Sequence, residues 1–131
     1  ILACGDECLK APDAPKPLPQ YSQAVNYNGM IYCSGNIGMD PKTMTLVEGS
    51  IKDRTRQALT NLRNILEAGG SSFDHVVKCN IFLTTMDNFA AMNEVWDEFS
   101  PVDPKPVRRP YVPFKLFTAD AEFVVLILCV N

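Results

Sequence analysis

Hydrophobic side chains recur at every third or fourth position in two long stretches of the chain, which predicts two amphipathic helices. The first runs from Ser50 to Gly69, with Ser50 as N-cap and Asp53 placed three residues on, as in a capping box. The second runs from Thr85 to Phe99 and ends before Pro101. The two apolar faces comprise Ile51, Ala58, Leu59, Leu62, Ile65 and Leu66 in the first helix, and Phe89, Met92, Val95, Trp96 and Phe99 in the second.

Shorter apolar stretches, several of them rich in β-branched or aromatic residues, predict strands. They lie at 20–27, 30–37, 76–84, 107–112 and 121–130, with a short further one at 45–48. Asn28 and Gly29 both tolerate positive φ and predict a tight hairpin between the first two strands. In the strand at 76–84, strict alternation would place on one apolar face the side chains of Val77, Cys79, Ile81 and Leu83.

The predicted order of elements is β-β-(β)-α-β-α-β-β. Two helices on one face of a mostly antiparallel or mixed sheet make an α+β domain. The last strand, which reads FVVLILCV, is apolar on both of its faces. A sheet covered by helices on one side only would leave its second face in water. We therefore expect that second face to pack against other subunits.

The chain length of 131 residues is sufficient for one hydrophobic core and predicts a single domain. The N-terminal region has no periodic pattern and contains Pro12, Pro15, Pro17 and Pro19. It predicts an irregular arm at 1–15, followed by the folded domain at 16–131.

Charge and hydropathy restrict the classes of partner. The formal net charge is −3 and the pI is about 5.0, which disfavours binding to a phosphate backbone. The chain contains no apolar run of the roughly 18 to 20 residues that a membrane span needs, so we expect no membrane association.

The cysteines indicate a reducing compartment. There are five, an odd number, without a C-x-x-C pair, and three lie in apolar strand-like runs: Cys33, Cys79 and Cys129. This pattern favours the cytosol or the mitochondrial matrix over a disulfide framework. Cys4 and Cys8 have no histidine nearby, so no metal site is expected. His75, the single histidine, is interpreted as a solvated residue at a strand boundary.

Five blocks of sequence share their wording and order with one known family. They are PQYSQAV at 19–25, YCSGNIGMDPKT at 32–43, RTRQALTNLRNILEAGGSS at 54–72, VVKCNIFLTTMDNFAAMNEVW at 76–96 and DPKPVR at 103–108. In this order they resemble the RidA family, also called the YjgF or L-PSP family. Several blocks without an obvious gap are far more specific than a single motif.

The resemblance implies a chorismate-mutase-like fold of the bacillus type and a homotrimer with active sites in clefts between subunits. It also implies hydrolysis of reactive enamines and imines, the 2-imino acids released by pyridoxal-phosphate enzymes, to 2-oxo acids and ammonia. No cofactor or metal is implied. Related members have been described as endoribonucleases or translation inhibitors, which leaves a nuclease as one alternative.

The resemblance also implies roles for particular residues. Arg108 matches the family's carboxylate-binding arginine, and a guanidinium fork suits a carboxylate because it donates two parallel hydrogen bonds. Tyr21 matches a pocket tyrosine. Ser34 and Gly35 match the pair that lines the pocket, and Asn93 matches a helix-borne residue near the site. Without the resemblance, each would be interpreted as an ordinary surface or strand residue.

The last 25 residues depart from the family pattern. Pro110 stands where the family has a small residue whose backbone amide also holds the carboxylate, and proline has no N–H. An ungapped alignment puts Phe123 where the family has a water-positioning glutamate. A one-residue deletion would bring Glu122 to that place, so Glu122 is the candidate, with a charge at the sheet rim as the alternative. These departures leave open a homologue that binds small carboxylates or a protein partner without catalysis.

Overall fold

The computed structural model describes residues 7–112 and 123–130, which form six strands and two helices. The strands are β1 (Glu7–Leu9), β2 (Ala24–Tyr27), β3 (Met30–Cys33), β4 (Val76–Leu83), β5 (Val107–Tyr111) and β6 (Phe123–Val130). The helices are α1 (Ile51–Ala68) and α2 (Phe89–Phe99), and short 3-10 turns precede β4 and α2. Neither helix is long and apolar enough to cross a membrane.

All six strands belong to one sheet, in the order β1-β2-β3-β6-β4-β5. Neighbouring strands are antiparallel except β4 and β5, which are parallel and are connected through α2. A parallel pair needs a crossover of this kind, because a tight turn would reverse the chain. The sheet is therefore mixed, and the α+β prediction is confirmed.

The hairpin between β2 and β3 forms at the predicted position. Asn28 and Gly29 have φ of 50° and 76°, the left-handed conformation that a two-residue hairpin requires. The flanking strands are shorter than predicted, because pairing begins at Ala24 and ends at Cys33.

Both helices pack their apolar faces on the same side of the sheet. Ala58, Leu59, Leu62, Ile65 and Leu66 of α1 are buried, as are Met92, Val95 and Trp96 of α2. Facing them from the sheet are Ala24, Ile31, Cys79, Ile81 and Leu83. The N-terminus of α1 is closed as predicted, since Asp53 accepts hydrogen bonds from the backbone N–H and the hydroxyl of Ser50 at 2.8 and 2.7 Å. These bonds lower the pKa of Asp53.

Two predicted elements differ in the structure. The strand expected at 45–48 is reduced to a single bridge between Met39 and Leu46. The Asp40 carboxylate accepts from the N–H groups of Lys42 and Thr43, which turns the backbone before a second strand pair can form. The second helix begins at Phe89 instead of Thr85, because Thr85 caps a preceding 3-10 turn by accepting from Asp87 N–H.

A β-bulge at the start of β4 reverses the predicted orientation of the two valine side chains there. Val76 pairs with Cys129 and Lys78 with Leu128, so Val77 is an extra residue without a partner of its own. As a result Val76 is buried and Val77 is exposed, the reverse of what alternation predicts, while Cys79, Ile81 and Leu83 are buried as expected. A bulge shifts the alternation by one residue. Because both residues here are valines, the sequence does not indicate which of them faces inward.

The N-terminal region, predicted as irregular, contributes β1 to the sheet edge through pairing with β2. The rest of the segment is fixed by Gln23, a buried residue of the loop before β2. Its side-chain oxygen accepts from Ala11 N–H at 2.8 Å, and its amide nitrogen donates to the carbonyls of Ala11, Ala14 and Pro15 at 2.9 to 3.3 Å. One side chain thus satisfies several backbone groups.

Replacing Gln23 with alanine is expected to lower the free energy of unfolding by about 2 kcal/mol, because a buried N–H and carbonyl would lose their partners. Urea unfolding at one fixed protein concentration measures the change. Gln20→Ala, at an exposed position three residues earlier, is the matched control and should change little. Equal unfolding midpoints for both variants would show that Gln23 does not anchor the segment.

Candidate functional site

Arg108 lies on β5, where it pairs in register with Cys79 of β4. Cys79 is fully buried on the face that the helices cover, so Arg108 stands on the same face, at the edge where α2 crosses. Its guanidinium carbon is 5.2 Å from the centre of the Trp96 ring, and Trp96 is 3% exposed. The next residue, Arg109, is exposed and pairs with Asn80.

The Arg108 guanidinium has unused hydrogen-bonding capacity. Its Nη1 atom is buried and has no hydrogen-bond partner in the described part of the chain. The ion pairs found there, Lys52–Glu94 and Arg56–Glu98, do not involve it. Burial raises the pKa of the neighbouring Cys79 thiol, which therefore stays neutral and supplies no counter-charge. A donor held in this way favours an anion that arrives from outside the subunit.

Asn93 supplies an acceptor on the helix that holds Trp96. It precedes Trp96 by three residues on α2, so the two side chains lie on one face of the helix. Asn93 is half-buried, and its Oδ1 atom is buried without a hydrogen-bond partner among the described residues. We name Asn93, Trp96 and Arg108 together the arginine edge. It combines a cationic donor with a neutral acceptor.

Tyr21, Ser34 and Gly35 form a second group, the serine end, where β3 finishes. Tyr21 is 50% exposed. The Ser34 hydroxyl donates to the Ser22 carbonyl at 2.5 Å, so its lone pairs remain available to a ligand. Gly35 is exposed, and its φ is not in the left-handed region that only glycine adopts readily. A larger residue would therefore fit the backbone at this position.

One chain does not bring these two groups together. Strands β6 and β4 lie between β3 and β5. At about 4.8 Å per strand spacing, β3 and β5 are roughly 14 Å apart. A small ligand bound to Arg108 therefore cannot also contact Ser34 of the same chain.

The departures in the last 25 residues fall partly within the described structure. Pro110 pairs with Ile81 on β5, an edge strand, where a residue without N–H is tolerated. Phe123 begins β6 and pairs with Leu83. Glu122 lies outside the described residues, so its place in the site stays a prediction.

Trp96 is the residue that sequence reasoning missed, since its spacing indicated a core position and nothing more. It is a core residue, in edge contact with Phe73 at 6.2 Å between ring centres. Its ring also makes a cation–π contact with the Arg108 guanidinium. The helical spacing places Asn93 and Trp96 on one face. However, only the parallel pairing of β4 with β5 brings Arg108 to that face.

An open depression of about 490 Å³ is lined by residues of both helices and of the turn before β4, and no residue of the arginine edge lines it. Its walls include Arg56, Arg63, Glu98 and Phe99. Arg56 is paired with Glu98 at 3.0 Å and Arg63 lies over Phe99, so these cations already have partners. None of the predicted site residues that the structure describes lines this depression. Within the same residues, no three His, Cys, Asp or Glu side chains are grouped as metal ligands.

Relatives with names and solved structures resemble this chain over most of its length. The mitochondrial protein mmf1 of Schizosaccharomyces pombe is 50% identical over 67% of this chain and 52% of its own length. A 2-iminobutanoate/2-iminopropanoate deaminase of Dermatophagoides farinae is 43% identical over 70% of this chain and 71% of its own. The crystal structure of RidA from a Psychrobacter species matches with a TM-score of 0.87 and 33% identity, covering 95% of this chain and 99% of that one.

A structure of E. coli TdcF with bound serine also matches, with a TM-score of 0.87 and 26% identity over 95% of this chain and 98% of that one. The sequence profile of the family described as endoribonuclease L-PSP matches residues 11–122. With these matches and the shared fold, the chain belongs to the endoribonuclease L-PSP family, which includes the RidA proteins.

Proposed function

We propose that this protein hydrolyses small 2-imino acids, the reactive enamine and imine products of pyridoxal-phosphate enzymes, to 2-oxo acids and ammonia. The observation that carries the proposal is the arginine edge, where neither the buried Nη1 donor of Arg108 nor the buried Oδ1 acceptor of Asn93 has a hydrogen-bond partner among the described residues. The deaminase from Dermatophagoides farinae supports this activity by its name and similarity.

The chemistry needs little beyond positioning. Arg108 would hold the substrate carboxylate by two charge-assisted hydrogen bonds. The Asn93 oxygen can accept from the N–H of the protonated imine, which keeps the carbon electrophilic. Water adds to that carbon and loses a proton, and the resulting amino alcohol expels ammonia to leave the 2-oxo acid. A clamped substrate and a positioned water account for a moderate acceleration without a cofactor. Glu122 is the candidate to take the proton from water.

The complete site is proposed to form between the subunits of a homotrimer. The arginine edge and the serine end lie too far apart within one chain to share a ligand, so a neighbouring copy would supply the second group. The face of the sheet opposite the helices also carries exposed apolar side chains, with Val107 67% and Tyr32 43% exposed. Subunit contact would remove such apolar surface from water.

Purified protein is expected to speed the loss of 2-aminoacrylate released from serine by a serine dehydratase. An increase of about two to four powers of ten would fit a clamped substrate and a positioned water. Semicarbazide, which competes for the imine, reports the amount that escapes hydrolysis. Heat-denatured protein controls for catalysis by surface amines. No decrease in semicarbazone relative to that control would refute the deaminase.

Pro110 supports a second candidate, a homologue that binds small carboxylates without catalysis. Proline removes one N–H from the strand that carries Arg108, and hence one donor from the anion site that the resemblance implies. Binding of 2-oxobutyrate by calorimetry, together with no acceleration of imine loss, would favour this candidate over the enzyme.

A ribonuclease is the third reading, and the family's description names that activity. The net charge of −3 disfavours RNA binding. RNA cleavage that persists through purification and is lost in Arg108→Ala would revive this reading. We propose the cytosol or the mitochondrial matrix as its compartment, since Cys8 and Cys79 are free thiols and two relatives are named as mitochondrial.

A further inference from the structure

We infer that Trp96 is a positioning residue that holds the Arg108 guanidinium ready for a carboxylate. This inference rests on the proposed function of Arg108 and adds the element that sets its geometry. The guanidinium carbon lies 5.2 Å from the centre of the indole ring, within the range of a cation–π contact.

The Trp96 ring is itself held in place by its neighbours. Trp96 is 3% exposed, and Phe73 meets its ring edge-on at 6.2 Å and an interplanar angle of 79°. Phe73 also contacts Phe99 at 5.6 Å between ring centres. A ring held by close core packing cannot follow the arginine, so the arginine adapts to the ring.

The contact with Trp96 restricts the flexible Arg108 side chain to one arrangement. Arginine has many rotamers in water, and only those that direct its fork toward the ligand are competent to bind. With the guanidinium carbon 5.2 Å from the ring centre, the buried Nη1 still has no hydrogen-bond partner among the described residues and is available to a ligand. The apparent dissociation constant rises in proportion as the competent fraction falls. Trp96 therefore acts through Arg108 and need not touch the substrate.

Trp96→Leu removes the π-face and keeps an apolar side chain. We expect the apparent dissociation constant for 2-oxobutyrate and the KM for the imine to rise about three- to thirtyfold, with kcat nearly unchanged. Trp96→Phe keeps a ring and should recover most of the affinity. Calorimetry and steady-state kinetics measure the two effects, and circular dichroism confirms the fold of each variant. A purely structural role would reduce the active fraction, and thus kcat, without this recovery of KM.

A second measurement needs no change at this position. Trp96 is the single tryptophan of the chain, so its fluorescence reports directly on the ring beneath Arg108. Saturating 2-oxobutyrate should change the emission with the dissociation constant that calorimetry gives. The same titration of Arg108→Ala should show only absorption by the ligand. Arg63→Ala is the matched control, because Arg63 makes the same kind of contact with Phe99 on the outer surface, 5.6 Å from that ring.

The outcomes separate this inference from the proposed function. Loss of 2-oxobutyrate affinity in Trp96→Leu with recovery in Trp96→Phe, or a saturable emission change that requires Arg108, supports it. Unchanged affinity in folded Trp96→Leu, or calorimetric binding by the wild type without any change in Trp96 emission, overturns it while the proposed function stands. Absence of binding by the wild type overturns the proposed carboxylate site and this inference together.

Discussion

Arg108→Ala should lower kcat/KM for 2-aminoacrylate by about a hundredfold to a thousandfold, since each hydrogen bond to a charged group contributes roughly 1.5 to 3 kcal/mol. Most of the loss should appear in KM, because the carboxylate is bound equally in the ground state and the transition state. The fold should survive, because Arg108 Nη1 has no partner in the described structure to leave behind. Steady-state rates of imine loss at several dehydratase concentrations measure the effect.

Two further variants make the result specific. Arg108→Lys keeps the charge but loses the planar fork, and it should fall between wild type and alanine. Arg63→Ala removes an exposed arginine that also lies over an aromatic ring, and it should leave both constants unchanged. If Arg108→Ala retains wild-type kcat/KM, the arginine edge is not the substrate site and another group must hold the carboxylate.

The helices were predictable from the sequence because their signals are local. Spacing placed Leu59, Leu62 and Leu66 on one face, and Ser50 with Asp53 marked the start of α1; the structure confirms both. The bulge at Val77 was not predictable, because two adjacent valines satisfy either alternation equally well. The sequence did not predict the strand at Glu7–Leu9, because this strand forms only by pairing with β2. Its three residues show no periodic pattern of their own.

The site could be predicted only in part, for the same reason. Arg108 was identified through the resemblance, while its contact with Trp96 depends on the parallel pairing of β4 and β5. Parallel pairing joins segments that are far apart in sequence, and neither segment alone records its partner. The distance between Arg108 and Ser34 likewise follows from strand order, which places β6, the last strand in sequence, in the middle of the sheet.

Two inactive variants should recover activity when they assemble together, and this second large effect also follows from the strand order. Arg108→Ala destroys the arginine edge. Gly35→Leu obstructs the serine end without backbone strain, because Gly35 is exposed and does not need positive φ. Each variant alone should be nearly inactive. Unfolded together in equal amounts and refolded, they should regain about a quarter of wild-type activity if each cleft is built from two subunits of a trimer.

The quarter follows from the geometry of a cyclic trimer. Random assembly gives about three quarters of trimers with both kinds of subunit, and each of these has one cleft of its three formed by an intact arginine edge and an intact serine end. Refolding Arg108→Ala with a chain that carries both substitutions is the matched control, since no cleft can then have an intact arginine. A site contained within one subunit would give no recovery in either mixture. The roughly 14 Å that the sheet puts between β3 and β5 makes recovery the expected result.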